Sequence, residues 1–151
     1  MKAFESIAGL SWIFAHFLQN NIQADITEKY KELNVERVLL MMELDWEDGL
    51  RPSVIAKRMG RSKGTITSLI KHCFTHGFVA MTPDPTNKNA KLIFLTQKGK
   101  KIHDEMAHVI TDRLHESISG IPEEHHEIIK NALLSCIATQ NTMWSLEEYK
   151  D

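Results

Sequence analysis

The sequence predicts a mainly α-helical fold carrying one small β-hairpin. Three observations lead there. Apolar residues recur at helical spacing over long stretches at both ends of the chain. Two short helical patterns meet at Gly60 near the middle. Two strand-like runs, residues 78–82 and 91–95, then flank a polar stretch of turn-forming residues. With 151 residues and 42% apolar content, the chain can bury one compact core.

The first expected helix spans residues 4–26. Phe4, Ile7, Ala8, Ser11, Phe14, Ala15, Leu18 and Ile22 follow one stripe, and Leu10, Trp12, Ile13 and Phe17 widen it well beyond one face. A helix apolar on more than one face must bury both, one of them against a partner. Asn34 offers an N-cap to a second helix ending near Trp46, with Val35, Val38, Leu39, Met42 and Trp46 as its expected core positions. Pro52 suits a first helical turn, and a short helix from it ends at Gly60. Ser62 caps the next helix, which runs to about His76. The hairpin follows, with residues 83–90 expected as a long loop at its tip. A long helix over residues 96–119 carries the stripe Ile102, Met106, Val109, Ile110, Leu114 and Ile118. After a corner at Gly120-Ile121-Pro122, a last helix runs toward Glu148, with Ile129, Ala132, Leu133, Cys136, Ile137, Gln140, Met143 and Trp144 on one side.

Charge is segregated along this order. Residues 51–101 hold eleven basic side chains and a single acid, Asp84; the other 100 residues hold seven basic side chains and nineteen acids. The overall net charge of −2 hides a strongly basic module in an acidic frame, a pattern suited to a polyanionic partner. Within the module, Ile66, Leu69, Ile70 and Cys73 form the inward stripe of the helix capped by Ser62. At about 100° per residue, Gly64, Ser68, Lys71 and Thr75 lie opposite, flanked by Arg61, Thr65, Thr67 and His72. Small residues allow close approach to a groove, hydroxyls reach base edges, and cations meet phosphates. Ser62, at a helix N-terminus, also stands where a phosphate is favoured. A cationic hairpin directly after such a helix pair, with Lys88 and Lys91 near its tip, makes a winged helix-turn-helix.

Over residues 34–101 the chain resembles the MarR (multiple antibiotic resistance regulator) family. The resemblance rests on the segment from Ser53 through Thr67, then Gly77-Phe78-Val79, Asp84-Pro85, Ala90-Lys91-Leu92 and Leu95-Thr96-Gln97-Lys98-Gly99. It implies a homodimer interlocked through terminal helices, each copy offering one winged helix to a pseudo-palindromic operator in double-stranded DNA. It also implies a repressor that responds to small acidic or phenolic effectors, or to oxidation of a cysteine. The wing departs from the family's usual Asp-Arg-Arg: this chain has Asn87-Lys88-Asn89, and lysine lacks the planar fork of arginine.

The expected organisation is a DNA-binding domain over 33–101 between dimerisation helices over 1–32 and 102–151. The expected DNA-binding residues are Ser53, Arg61, Ser62, Lys63, Gly64, Thr65, Thr67, Ser68, Lys71, Lys88 and Lys91. Trp12, His16, Met42 and Trp46 are expected to line an effector pocket at the junction of the two parts. No catalytic motif is present: the sequence has no P-loop, GxSxG, HExxH or glycine-rich dinucleotide turn. No cofactor is expected. The two cysteines, Cys73 and Cys136, are expected as buried structural thiols, and the eight histidines lack the dense spacing of a strong metal motif. Two other readings stay open: a metal-responsive regulator, and a winged helix used for protein contact without DNA. No apolar run reaches membrane-spanning length and the N-terminal residues do not read as a signal peptide, so a cytoplasmic protein is expected, without membrane association.

Overall fold

The computed structural model describes residues 2–140. Its helices are α1 (Ile7–Lys29), α2 (Val35–Trp46), α3 (Pro52–Met59), α4 (Lys63–Thr75), α5 (Gln97–Ser117) and α6 (His126–Gln140); strands β1 (Val79–Asp84) and β2 (Asn87–Leu95) lie between α4 and α5. The fold is mainly helical with one antiparallel hairpin, as the sequence predicts. Among the described residues no helix is long and apolar enough to cross a membrane.

Caps set the boundaries. Asn34 accepts the Arg37 N–H at 2.9 Å, Ser62 accepts the Thr65 N–H at 3.2 Å and Thr96 accepts the Gly99 N–H at 3.0 Å. Each satisfies one of the donors that a helix start leaves unpaired. The first long helix begins later than expected. Residues 3–5 form a single 3-10 turn, and Ser6 caps α1 by accepting the Gly9 N–H. Gly60 closes α3 in the left-handed region, at φ 61° and ψ 37°. That conformation favours glycine and lets the chain turn at once into α4.

The core gathers α2, α3, α4, the hairpin base and one side of α1 and α5. Ile26, Val38, Leu40, Met41, Ile55, Ile66, Cys73, Phe78, Ile93 and Met106 are fully buried in it. The expected core face of α2 needs correction: Val38 is inside, but Leu40, Met41 and Leu44 accompany it, while Leu39, Met42 and Trp46 are exposed. This helix packs against α1, α3, α4, α5 and β2. Its inward side is set by where most of these neighbours meet, and four consecutive apolar residues, 39–42, left the phase of the stripe open. Cys136 is likewise corrected: it is exposed on α6, whereas Cys73 is buried. Burial pushes the Cys73 thiol up to about 11, which disfavours the nucleophilic thiolate.

The hairpin also differs from the expected long loop. Both strands extend outward, with Pro83 opposite Lys91 and Asp84 opposite Asn87 across an irregularity between Pro83 and Asp84. Pro83 is tolerated because a two-stranded sheet leaves every strand an edge. Asp84 is buried and holds the turn together. Its carboxylate accepts the Thr86 N–H and hydroxyl, each at 2.8 Å, and the Arg51 guanidinium at 2.5 Å. These contacts, Thr86 first, hold the Asp84 carboxyl below its ordinary range. Leu50 pairs with Ile93 through two backbone hydrogen bonds, tying the wing to the start of α3.

The α1 and α5 helices are joined by a two-pronged Arg113–Asp25 ion pair, 2.6 and 2.8 Å, and by the Tyr30 hydroxyl donating to Glu105 at 2.7 Å. The far sides of α1 and α6 stay apolar and open in the single chain. Ile7, Leu10, Trp12, Phe14 and Phe17 are exposed on α1, as are Ile128, Ile129, Leu133 and Ile137 on α6. Met143 and Trp144, expected on the same stripe, lie outside the described residues.

Candidate nucleic-acid interface

The α4 helix lays Ile66, Leu69, Ile70 and Cys73 into the core and turns the opposite face to solvent. Lys63, Gly64, Thr65, Thr67, Ser68, Lys71 and Thr75 are all exposed there. Their hydroxyls are not equivalent. Thr67 donates to the Lys63 carbonyl at 2.8 Å and Thr75 to the Lys71 carbonyl at 2.9 Å, while Thr65 lies 3.0 Å from the Ser62 hydroxyl. The Ser68 hydroxyl, at the centre of the face, makes no hydrogen bond among the described residues. It alone of these four is left with full capacity for an outside partner.

The basic residues of the module divide in the same way. Arg51 is spent on Asp84 and Thr86. Arg58 pairs with Glu47 and approaches Glu43 at 3.9 Å. Arg61 grips Glu36 on α2 with two bonds, 3.0 and 2.6 Å, which lower the Glu36 carboxyl and raise the guanidinium. Lys100 bridges Asp45 at 2.5 Å and Asp104 at 2.9 Å. No ion pair among the described residues engages Lys57, Lys63, Lys71, Lys88 or Lys91. Lys98 and Lys101 on α5 likewise make no ion pair among the described residues, so the uncompensated positive charge is spread over α3, α4, the wing and the start of α5. Arg61, grouped by the sequence with the DNA contacts, links the start of α4 to Glu36 on α2. Ser53, at the start of α3, is exposed beside these elements.

The expected pocket residues separate. Met42 and Trp46 line a cavity of about 430 Å³ together with Glu36, Leu39, Glu43, Asp45, Arg58, Met59, Arg61 and His103. Trp12 and His16 are not part of that wall; they stack on each other along α1, ring centroids 6.3 Å apart. The missed members had a signal. Glu36, Leu39 and Glu43 share helical spacing with the expected Trp46 on the α2 face away from the core, whereas Arg58, Met59 and His103 arrive from elements distant in sequence.

Two histidine groups are used internally. The His72 and His76 rings stack at 4.1 Å; His72 Nε2 lies 3.0 Å from the Glu32 carbonyl, and His76 Nδ1 lies 2.9 Å from the His72 carbonyl. Asp45, His103 and Asp104 bring three donor atoms within 4.8 Å of one another. The Lys100 ammonium already bridges their two carboxylates, which makes the group an ion-pair network joining α2 to α5.

Two helices around a glycine turn, an exposed hydroxyl- and lysine-bearing face on the second, and a cationic hairpin behind it define a winged helix-turn-helix protein. Residues 33–91 match the MarR family. Among its relatives, the uncharacterised HTH-type transcriptional regulator YybA of Bacillus subtilis is 28% identical over 108 residues, 70% of this chain and 71% of its own. Solved structures of like fold include the Staphylococcus aureus MepR–DNA complex, with a TM-score of 0.78, 20% identity, and 89% of this chain and 98% of that one covered. CouR from Rhodococcus jostii RHA1, bound to p-coumaroyl-CoA, gives a TM-score of 0.74 at 18% identity, with 90% and 95% covered.

Proposed function

We propose that the chain is a homodimeric, sequence-specific DNA-binding regulator, a repressor released by a small-molecule effector, with α4 as the helix that enters the major groove. The observation that carries this reading is the unspent Ser68 hydroxyl on the exposed face of α4, ringed by lysines without internal partners. In this reading Ser68 and Thr65 meet base edges, and Gly64 lets the helix approach closely. Ser53, Ser62, Thr67, Lys63 and Lys71 meet phosphates, and Lys88 and Lys91 carry the wing onto the backbone beside the groove. Arg61 acts from behind, through Glu36.

Residues 33–101 form the DNA-binding unit, and residues 1–32 with 102–151 form the dimerisation unit. The open apolar sides of α1 and α6 support that division, since obligate dimers join through large hydrophobic interfaces. The MepR complex with DNA and the CouR complex with p-coumaroyl-CoA show both kinds of partner on this fold in other proteins. The cavity between α2, α3 and α5 is the effector site in this reading. It touches Arg61, one residue before the Ser62 cap of α4, so a ligand there can bias the helix if its affinity differs between two positions of it.

Selection of bound sequences from a random duplex pool tests the proposal. The expected result is a pseudo-palindromic consensus whose half-sites lie about one helical turn apart, the mark of two copies related by a twofold axis. Recovery of unrelated sequences, or of none, overturns it.

A further inference from the structure

The cavity's charges point to the class of ligand it takes, an inference that rests on the effector reading only for its consequence on DNA. Four of the ten wall residues are the uncharged Leu39, Met42, Trp46 and Met59, and the others are ionisable. Most of the charge is already matched. Arg61 is bound twice by Glu36, Arg58 donates to Glu47, and Asp45 is held by Lys100. Glu43 is the exception. Its side chain is only 16% exposed, it accepts no side-chain hydrogen bond among the described residues, and its nearest cation is Arg58 Nη1 at 3.9 Å, on a guanidinium whose other nitrogen serves Glu47.

We propose that this cavity accepts an amphipathic organic cation, an arylalkyl ammonium or amidinium, with the Glu43 carboxylate as counter-ion and Leu39, Met42, Met59 and Trp46 around its apolar body. A partly desolvated carboxylate without a close hydrogen-bonded partner is costly, and a bound cation supplies what it lacks. Burial already pushes the Glu43 carboxyl up from its ordinary value, with Arg58 offsetting part of that shift. The two methionines supply adaptable apolar packing for the body of such a ligand. An anion meets the reverse situation: it must take Arg58 or Arg61 from a carboxylate that stays behind in the same cavity.

The test is calorimetric titration of the DNA-free protein with three ligands of one body: 4-phenylbutylammonium, 4-phenylbutanol and 4-phenylbutyrate. The expected order is the ammonium at least tenfold tighter than the alcohol, and the carboxylate weaker than both. Glu43→Gln, close in shape, is expected to bring the ammonium down to the alcohol's affinity while leaving the alcohol unchanged; that second reading guards against a misfolded variant. The carboxylate binding as tightly as the ammonium, Glu43→Gln without effect on the ammonium, or no binding by any of the three overturns the inference. Duplex affinity, followed separately with the ammonium present, tests the effector reading. Glu43-dependent binding that leaves duplex affinity unmoved supports the site and overturns its regulatory use.

Discussion

Gly99→Ala is expected to destabilise the protein by on the order of 3 kcal/mol, the upper end of the usual cost of forcing an atom into a packed core. A Cβ at this position would lie 2.0 Å from the Phe78 carbonyl oxygen and 2.9 Å from both the Phe78 carbonyl carbon and Leu95 Cδ1. The obstacle is backbone and cannot swing aside. The same Phe78 oxygen accepts the Thr96 N–H and the Thr96 hydroxyl, each at 3.1 Å, so moving the start of α5 outward breaks the contacts that seat it on the hairpin base. Gly120→Ala is the control, because nothing lies within 4 Å of a Cβ there, and a surface change of that kind stays within about 0.5 kcal/mol. Urea unfolding of both variants checks the pair, and equal midpoints would contradict the close seating of α5.

Replacing Lys63, Lys71, Lys88 and Lys91 together by alanine is expected to give the largest loss of DNA affinity. Each lysine that meets a phosphate contributes about 0.9 to the slope of log affinity against log salt concentration, so the quadruple variant should lose about four such increments per protomer. Arg61→Ala should change that slope by less than one lysine does, because Glu36 already neutralises the guanidinium. Fluorescence anisotropy with a labelled duplex at several salt concentrations reads both. A quadruple variant with an unchanged slope would remove the lysines from the interface, and a full unit lost at Arg61 would show that DNA takes this residue from Glu36.

Much of this architecture is legible in the residues. Asn34, Gly60, Ser62 and Thr96 announce their helix boundaries because caps and left-handed turns depend on local chemistry. The inward stripe of α4 is equally plain, since its apolar residues keep one phase. The α2 core face is not, because Leu39, Leu40, Met41 and Met42 satisfy either of two phases and only tertiary contact chooses between them. The prolines and asparagines of the wing are turn formers, so the sequence predicts a looser tip than the structure has. The buried Asp84, held by Arg51 from 33 residues away, is what extends the strands. The cavity was half visible. Met42 and Trp46 line it, but its polar wall depends on Arg58, Arg61 and His103 meeting α2 in space. Charge counting along the chain found the basic module; it could not find which of its cations are spent on acids elsewhere in the fold.

The most direct test of the central claim, that α4 reads sequence while the wing positions the protein, compares Ser68→Ala and Lys88→Ala on the selected operator and on a scrambled duplex of equal length. Ser68→Ala is expected to lose discrimination worth on the order of 1–3 kcal/mol at one operator position while binding the scrambled duplex almost as before. Lys88→Ala is expected to weaken both duplexes about equally and to lower the salt slope by about one unit. Loss of discrimination in Lys88→Ala with none in Ser68→Ala would contradict the account and move sequence reading from the helix to the wing.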